Sequence, residues 1–433
     1  MAQHRLRLLY YKWMNERNYI LYRRIKGLRE SLCFYICRIF PVDKTLFSLC
    51  TFEGKGGYGC NPKYIAEELH KRNPDYRFVW LVNEEARNKQ FPSYIKKVSN
   101  SSLWSRAYWL TRSKVWIDNY RKPLGTVKRK SQIYINVNHY TLGIKCTGLL
   151  REEGFSKMAY LVSKNDSDMI DELIIDSKWC EECFDKALVY DGHMLKTGSP
   201  RCDVLFGNRT EFKNRFRERH NIPLDSKVIM YAPTFREGVK EGKRYVFSEK
   251  WSLDFQRLLD ALNKKTGDTW YLCIRVHPQL ANSFMMSGEE TLSGLIIDES
   301  SADDMYEILA GMDAYITDYS SAIFEAGFAN IPSMIFADDI QEYSSARGNL
   351  YWNLGLDPND HVTNNKKMHP DMDLVLPFPI STNNEELEKT IQDFNAEDYN
   401  RKIEKFKSDI GLIFDGEASK RLADEIEIRM TDR

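Results

Sequence analysis

The sequence predicts an α/β protein with two doubly wound parallel sheets, and three observations carry this prediction. Short apolar runs rich in β-branched and aromatic residues alternate with stretches of helical period. The alternation is interrupted by a polar helical bridge around 211–221 and then starts again. At 433 residues the chain is long enough for two hydrophobic cores. Two Rossmann-like domains that face a central cleft make a GT-B-like architecture.

The apolar runs set the order of the predicted strands. Strands of the first domain are predicted at 46–52, 78–82, 115–118, 132–137 and 159–162. Strands of the second domain are predicted at 228–232, 270–276, 295–297, 314–317 and 333–336. Helices lie between them, the first at 62–71, so each set is expected to form a parallel sheet. Residues after about 385 are charged and helical, and we expect them to pack back across both domains.

The charge balance argues against a nucleic-acid partner. Lys and Arg together number 62, and Asp and Glu together also number 62, so no overall field attracts a polyanion. The nine cysteines are scattered and odd in number, which is typical of reduced thiols in a cytosol. Cys180 and Cys183 form a CxxC without a second pair at zinc spacing, so we interpret them as ordinary helix cysteines.

No metal site is predicted, and no cofactor. We find no carboxylate cluster of the D-x-D kind, and Asp303-Asp304 is interpreted as the start of a helix. Gly54, Gly56 and Gly59 match G-x-G-x-x-G after a strand, with Glu84 or Glu85 as the matching acid. This fingerprint is weak when it stands alone, so a nicotinamide cofactor is rejected. Lys55 and Tyr58 in the same stretch are instead candidates to line an acceptor phosphate path.

The first forty residues form a basic amphipathic segment. They contain nine Lys and Arg residues against Glu16 and Glu30. An apolar stripe at helical spacing consists of Leu21, Ile25, Leu28, Leu32, Tyr35 and Ile39. The longest apolar run, 32–37, is too short to span a bilayer, and no signal-peptide cleavage site is evident. The segment either packs on the chain's own first domain or lies in the interface of an anionic membrane.

Short motifs follow one another along the second half. They are TGSPRCD at 197–203, YAPTFRE at 231–237, RVHP at 275–278, ITDYSSAIFE at 316–325, EYSSARG at 342–348 and DGEAS at 415–419. The first half adds CNPKYIAEEL at 60–69 and NHYTLGIK at 138–145. In this order they resemble the CDP-glycerol:poly(glycerophosphate) glycerophosphotransferase family, the teichoic-acid polymerases and primases. The resemblance extends from about residue 46 to the C terminus.

The basic amphipathic pattern of the first segment and the resemblance of the rest predict a role for each segment. Residues 1–45 are the membrane-associating segment, and 46–208 form the acceptor-side Rossmann-like domain. Residues 209–385 form the domain that binds the CDP-linked donor, and 386–433 are helices that pack back across the domains. Such a protein is expected at the cytoplasmic face of the cell membrane as a peripheral protein, with a lipid-linked polymer as acceptor. An oligomer is compatible with this organisation.

Donor-binding residues are implied by the motifs of the second half. Ser320 and Ser321 lie where a strand meets a helix, and by resemblance they bind the donor pyrophosphate. Glu325 on the same helix can accept hydrogen bonds from ribose hydroxyls. A cation after a buried strand would stabilise the charge that develops on the leaving CMP. The remaining positions that match the family's donor site are Arg201, Thr234, Phe235, Arg275, Val276 and His277.

His139 is the candidate general base, and His277 is the second candidate catalytic residue. An acceptor hydroxyl is a poor nucleophile until a group such as a histidine takes its proton. The family usually has Trp-His-Gly-Thr at this position, whereas this chain has Asn138, His139, Tyr140 and Thr141. A bulky aromatic therefore replaces a glycine beside the acceptor.

The leading hypothesis is transfer of glycerol phosphate, or a related polyol phosphate, from a CDP-linked donor to a polymer hydroxyl with release of CMP. A GT-B glycosyltransferase that uses a nucleotide sugar is the first alternative, because the fold serves either donor. A non-catalytic membrane-bound scaffold of the capsule machinery is the second. The sequence leaves open which polyol is carried and whether the protein primes or extends a polymer.

Overall fold

The computed structural model describes residues 16–234, 237–240, 243–246, 252–276, 294–347, 350–352, 354 and 374–432. Two all-parallel sheets with helices on both faces form the body of the protein. The predicted GT-B-like α/β fold is therefore confirmed.

The first sheet has seven strands in the order β3-β2-β1-β4-β5-β6-β7. Its central strands are continuous apolar runs because helices cover both faces of the sheet. The strands are β1 (Asp43–Cys50), β2 (Arg77–Val82), β3 (Ile95–Ser99), β4 (Ser113–Asp118), β5 (Ile133–Asn136), β6 (Glu172–Ile175) and β7 (His193–Lys196). The helices are α1 (Glu16–Cys37), α2 (Cys60–Arg72), α3 (Leu103–Arg112), α4 (Lys157–Ser167) and α5 (Lys178–Ala187).

The second sheet follows α6 (Arg209–Arg219) and has the order β12-β11-β8-β13-β14-β15. Its strands are β8 (Lys227–Tyr231), β11 (Trp270–Ile274), β12 (Ile296–Asp298), β13 (Ala314–Thr317), β14 (Ser333–Phe336) and β15 (Ile380–Ser381). A separate hairpin consists of β9 (Glu237–Lys240) and β10 (Lys243–Val246). The helices are α7 (Phe255–Thr266), α8 (Met305–Ala310), α9 (Ala322–Phe328), α10 (Ile340–Arg347), α11 (Asn384–Asp393), α12 (Ala396–Asp409) and α13 (Ala418–Asp432).

The strand predicted at 159–162 is wrong, because these residues lie inside helix α4. Ser156 caps this helix, and its side-chain oxygen accepts a hydrogen bond from the Ala159 amide at 3.2 Å. A short apolar run fits a strand or a helix equally well, and here the cap and the polar residues that follow favour the helix. The strand beside β5 is instead Glu172–Ile175.

Helix α1 docks on the first sheet with one face and leaves the predicted apolar stripe uncovered. Gly27, Phe34 and Cys37 are buried, and Phe34 belongs to the core cluster beneath the helix. The stripe residues are all exposed, with Leu28 at 71% and Ile39, just after the end of the helix, at 76%. Of the helices in the described residues, none is long and apolar enough to cross a membrane.

The C-terminal helices contact both domains. Leu422 and Ile426 of α13 pack in the core of the first sheet, whereas Phe406 of α12 stacks on Phe324 of α9 at 6.0 Å. Helix α13 begins against Asp203, whose carboxylate accepts the amides of the first helical residues at 3.0 and 2.7 Å. Two of the sequence motifs, TGSPRCD and DGEAS, therefore meet at this contact.

A glycine loop and an ion pair connect the two domains beside the cleft. Lys63 of α2 forms a buried ion pair with Asp304 at 2.8 Å, and the Tyr64 hydroxyl donates to the same carboxylate at 2.8 Å. Asp304 also caps α8, as its predicted role as a helix start requires. A Cβ atom at Gly57 would lie 2.2 Å from the carboxyl carbon of Asp303, so the loop must lack side chains for the domains to meet.

Candidate active site at the cleft between the two sheets

The candidate site lies where the carboxyl ends of the two sheets meet. In an open parallel sheet this edge is where ligands bind, because loops and helix N-termini converge there. A cavity of about 510 Å³ is lined by residues that follow strands of both sheets. Asn119 follows β4, His139 follows β5 and Thr234 follows β8. The predicted base and one predicted donor-binding residue therefore share one cavity.

The ring of His139 is oriented by a backbone carbonyl. Its Nδ1 atom lies 3.1 Å from the oxygen of Asn119. A carbonyl oxygen only accepts hydrogen bonds, so Nδ1 carries the proton and Nε2 has a lone pair. Aromatic rings surround the imidazole, with centroid distances of 5.5 Å to Phe52, 5.9 Å to Tyr120 and 5.0 Å to Tyr140. The arrangement leaves Nε2 as the atom that can take a proton.

Burial keeps this histidine neutral. The loss of water around the ring is the main cause that lowers the pKa of His139 to about 4, and the positive charges of Arg201 and Lys145 lower the pKa further. The hydrogen bond to the Asn119 carbonyl opposes this change. A histidine with this pKa is unprotonated at neutral pH, which is the form that a general base requires.

Asn61 fixes the backbone before His139. Its side-chain amide donates to the carbonyls of Val137 at 2.6 Å and Asn138 at 3.0 Å. Asn138 has φ of 44°, in the left-handed region that asparagine tolerates better than most residues. The sequence motif at 60–69 includes Asn61, but nothing in its spacing indicated this contact with the histidine loop.

Arg201 links the histidine loop to the second domain. Its guanidinium donates to the carbonyl of His139 and pairs with Glu325 at 2.5 Å. Its backbone amide donates to the side chain of Asn61 at 3.0 Å. The side chains of Arg201 and Glu325 are 4% and 5% exposed, so both charges of this pair have lost their water. Burial is the largest single influence and lowers the pKa of Arg201, but the surrounding groups, Glu325 first among them, together raise it above its ordinary value.

Both oxygens of the Glu325 carboxylate have protein partners. Arg201 binds Oε1, and the Tyr306 hydroxyl donates to Oε2. The guanidinium carbon of Arg201 also lies 4.6 Å from the centre of the Tyr306 ring. Glu325 therefore anchors an interdomain cluster, and its predicted contact with a ribose stays a prediction. Tyr306 was not predicted, because it lies within helix α8 among apolar residues.

Asp318 connects Thr234 to the segment that contains the serine pair. The carboxylate of Asp318 accepts the backbone amide of Thr234 at 2.8 Å and also its hydroxyl. Ser320 and Ser321 directly precede α9, and Ser320 Oγ accepts a hydrogen bond from the Ala322 amide at 3.4 Å. The ends of β8 and β13, which are neighbours in the sheet, thus present Thr234 and the serines at one edge.

Arg275 lies at the end of β11, next to β8 in the same sheet. Its guanidinium donates to the carbonyls of Glu299 at 2.6 Å and Ala302 at 2.8 Å. Burial lowers its pKa. The side chain of Val276 is buried, and its amide donates to Ser300 Oγ at 3.0 Å. The predicted residues His277 and Phe235 lie outside the described residues.

Tyr58 lies in a second cavity, of about 490 Å³, together with Lys63 and Asp304. Its hydroxyl contacts Tyr94 at 2.8 Å and Glu67 at 3.1 Å. Lys55, the other candidate for an acceptor phosphate path, is exposed in the glycine loop. Among the described residues, no group of three or more His, Cys, Asp and Glu side chains is arranged to hold a metal ion.

Two facing parallel sheets, with polar residues from the carboxyl ends of both around one cavity, define a protein of the GT-B class. The model of the CDP-Glycerol:Poly(glycerophosphate) glycerophosphotransferase family matches residues 32–369. The chain belongs to this family.

Similar proteins come from wall-polymer synthesis. A teichoic acid poly(glycerol phosphate) polymerase of Staphylococcus epidermidis is 32% identical over 388 residues, which cover 87% of this chain and 50% of that protein. The teichoic acid glycerol-phosphate transferase of Staphylococcus aureus is 28% identical over 399 residues, 89% of this chain and 93% of that protein. The chain spans about half the length of the polymerases from Staphylococcus epidermidis and Bacillus subtilis, at 50% and 48%.

A solved structure shows the same fold. The wall teichoic acid polymerase TagF aligns with a TM-score of 0.74 and 29% identity, over 95% of this chain and 97% of that chain. A variant of that polymerase has been solved after a soak with CDPG, at 26% identity and a TM-score of 0.73.

Proposed function

We propose that the protein transfers glycerol phosphate, or a related polyol phosphate, from a CDP-linked donor to a hydroxyl of a membrane-linked cell-wall or capsular polymer. The observation that carries the proposal is the shared cavity, which joins a neutral, oriented histidine to the edge of the second sheet. Membership of the glycerophosphotransferase family, and the CDPG soak of the TagF variant, support a cytidine diphosphate donor.

The proposed reaction is an in-line displacement at phosphorus. Nε2 of His139 takes the proton of the acceptor hydroxyl, and the resulting oxygen attacks the β-phosphorus of the donor. A new ester bond forms, the phosphoanhydride bond breaks, and the bonding electrons leave with CMP. Because positioned charges stabilise the transition state of phosphoryl transfer, we assign charge stabilisation to Arg275, His277 and the amides beside Ser320.

The donor side of the proposal uses the second sheet. Ser320 and Ser321 would hold the pyrophosphate, and Thr234, Phe235 and Val276 would line the donor site. Arg201 and Glu325 would act from the interdomain cluster, with Glu325 near the ribose. Thr234 supports this assignment most directly, since it lines the cavity of His139 and is bound to the loop that contains the serines.

The proposed location is the cytoplasmic face of the membrane. Helix α1 has an exposed apolar stripe, and Arg17, Arg24 and Arg29 are exposed on the same helix. Apolar side chains with arginines beside them favour the interface of an anionic bilayer. In this position the protein would meet a lipid-linked acceptor at the surface where that acceptor is anchored.

Release of CMP tests the function. Purified protein is incubated with a lipid-linked acceptor and one of three donors: CDP-glycerol, CDP-ribitol or a UDP-sugar. We expect CMP from a CDP-polyol and no UDP from the UDP-sugar. His139→Ala should reduce the rate by roughly 10²- to 10⁴-fold, the usual contribution of a general base. Turnover of the UDP-sugar alone would favour a glycosyltransferase, and full biological function of a His277→Ala variant would favour a scaffold.

A further inference from the structure

The cavity of His139 extends into the first domain, away from the donor edge. Its far wall consists of the loop after β4, the kinked 3-10 helical segment Gly148–Gly154 and helix α4. Three cationic side chains line the cavity, namely Arg121 and Arg151 in this part and Lys145 beside the His139 loop. Positive charge is thus concentrated in a cavity whose candidate base is neutral. The proposed proton transfer to His139 does not account for these cations.

The cavity contains little negative charge to balance these cations. Asp166 is the one acidic residue among the cavity-lining residues that the structure describes. It is 1% exposed, and its carboxylate already accepts the Lys122 amide at 2.9 Å and the Tyr134 hydroxyl at 3.1 Å. Burial raises the pKa of Asp166 to about 7, so the carboxyl does not contribute a full negative charge at neutral pH. The cavity is therefore electropositive.

The arginines are placed for an anion that enters from the cavity. Arg121 donates to the neutral Ser163 hydroxyl at 2.8 Å, and Arg151 is exposed. Neither forms an ion pair with any side chain that the structure describes. The guanidinium of Arg121 lies 5.6 Å from the centre of the Tyr120 ring, which in turn stacks 5.9 Å from His139. The Tyr120 ring therefore lies next to both Arg121 and His139.

We propose that Arg121 and Arg151, together with Lys145, form a subsite for the phosphodiester that precedes the terminal hydroxyl of the acceptor. The inference rests on the proposed function, because it takes His139 as the base for that hydroxyl. A glycerol phosphate unit has its hydroxyl and its phosphate at opposite ends of a short carbon chain, and His139, Arg121 and Arg151 line the same cavity. Arginine binds phosphate oxygens through a fork of parallel donors.

The subsite has a consequence for the order of reactions. An acceptor that already contains a glycerol phosphate unit would bind through both its hydroxyl and its phosphate. An acceptor that ends in an uncharged sugar would lack the second contact. The protein would then act after a reaction that has attached the first phosphate-bearing unit, and it would extend a polymer more efficiently than it starts one.

Binding of a soluble phosphodiester tests the subsite without turnover. The probe is glycerophosphoglycerol, and its affinity for the full chain is measured by calorimetry. Arg121→Gln and Arg151→Gln should each weaken binding roughly tenfold, as expected for the loss of a charge-assisted hydrogen bond. Arg121→Lys should retain part of the affinity, and Arg87→Gln, at an exposed position outside the cavity, should bind like the unaltered protein. Equal binding by all variants, or no binding by the unaltered protein, would overturn the subsite.

Turnover with two acceptors provides the second test. The acceptors are identical except that one ends in glycerol phosphate and the other in a sugar hydroxyl. We expect kcat/KM to favour the phosphate-bearing acceptor by roughly tenfold or more, and both glutamine variants to reduce this preference. If the preference is absent or survives both substitutions, the subsite is wrong although CMP is released. If no CMP is released while the probe still binds through the arginines, the proposed function is wrong, and the arginines bind a phosphodiester that is not the acceptor of this reaction.

Discussion

Arg201 and Glu325 form a buried ion pair that joins the two domains, and the same arginine binds the carbonyl of the candidate base. The two residues are 124 positions apart in sequence and 2.5 Å apart in the structure. Each domain contributes one charge, so neither domain alone can neutralise its own residue. The position of the histidine loop and the contact between the domains consequently depend on one pair of side chains.

The first prediction concerns this pair. Glu325→Leu leaves the Arg201 charge buried without its partner, which should lower the free energy of unfolding by about 3 to 5 kcal/mol. Chemical denaturation measures the change. The double variant Arg201→Met with Glu325→Leu should recover part of the stability, because neither charge remains buried. Glu84→Leu, which removes an exposed pair with Arg87, should change stability by less than about 1 kcal/mol. A loss at position 325 no larger than that at position 84 would contradict the prediction.

The second prediction separates positioning from donor binding. Asn61→Leu removes the hydrogen bonds to the carbonyls of Val137 and Asn138 and to the amide of Arg201. We expect kcat to fall by a larger factor than KM for the CDP-linked donor rises, because two of the three lost hydrogen bonds hold the His139 loop and one holds the amide of Arg201. Stability should decrease by about 1 to 3 kcal/mol, since buried backbone groups lose their partners.

Asn73→Leu provides the matched control for this change. Asn73 makes a comparable side-chain contact, 3.0 Å to the amide of Asp75, in an exposed turn. Its replacement should leave kcat unaltered. If Asn61→Leu raises KM for the donor and leaves kcat unchanged, Asn61 belongs to the donor site and the positioning role is wrong.

The third prediction is a pH profile. A general base must be unprotonated, so activity falls when the pH drops below the pKa of His139, which is about 4 in the free protein. On the acid side, kcat/KM for the donor should therefore stay constant from pH 8 to about 5, instead of falling near the ordinary histidine value of about 6.5. Lys145→Gln removes a positive charge beside the ring, which raises the pKa and should move the acid limb to higher pH. An acid limb near 6.5 in the unaltered protein would show that the ring is more hydrated than its surroundings indicate.

The fourth prediction concerns helix α1. Leu28→Glu combined with Leu32→Glu places charge on the exposed stripe and should reduce sedimentation with anionic vesicles by roughly tenfold or more. Both side chains are exposed, so the unfolding temperature should not change. Leu224→Glu alters an equally exposed leucine on the second domain, 58% accessible, and should keep vesicle binding intact. Unchanged sedimentation of the double variant would assign the stripe to another partner.

The sequence revealed the central strands because parallel strands buried on both faces are continuous apolar runs. Strands β3 and β7 were missed since they are edge strands with lysines and little burial, as in the Ile95–Ser99 sequence IKKVS. Strand β6 was missed because four residues among acidic neighbours give a weak pattern. Apolar runs were therefore found more readily than strands that contain lysines or have acidic neighbours, and the apolar edge strand β12 was among those predicted.

The candidate site was predictable to the extent that motifs follow strand ends. His139, Thr234, Arg275 and Ser320 all follow strand ends, and the carboxyl ends of parallel strands meet at one edge. Of these four, His139 and Thr234 line the same cavity, and the roles of all four stay predictions. The roles of Asn61, Tyr306 and the carbonyl of Asn119 depend on contacts between distant segments, and no local spacing encodes them. The sequence also favoured a contact of Glu325 with a ligand, whereas the structure gives both of its oxygens protein partners.

Helix α13 completes the core of the first sheet, although the whole second sheet precedes it in the chain. During synthesis the strands from β1 to β7 emerge well before Leu422 and Ile426 can cover them. Ribosomes add roughly 5 to 20 residues per second, so the apolar surface that α13 covers stays exposed on the first domain for on the order of ten seconds or more. Nascent chains of this protein should therefore depend on chaperones until residues beyond 418 have been made.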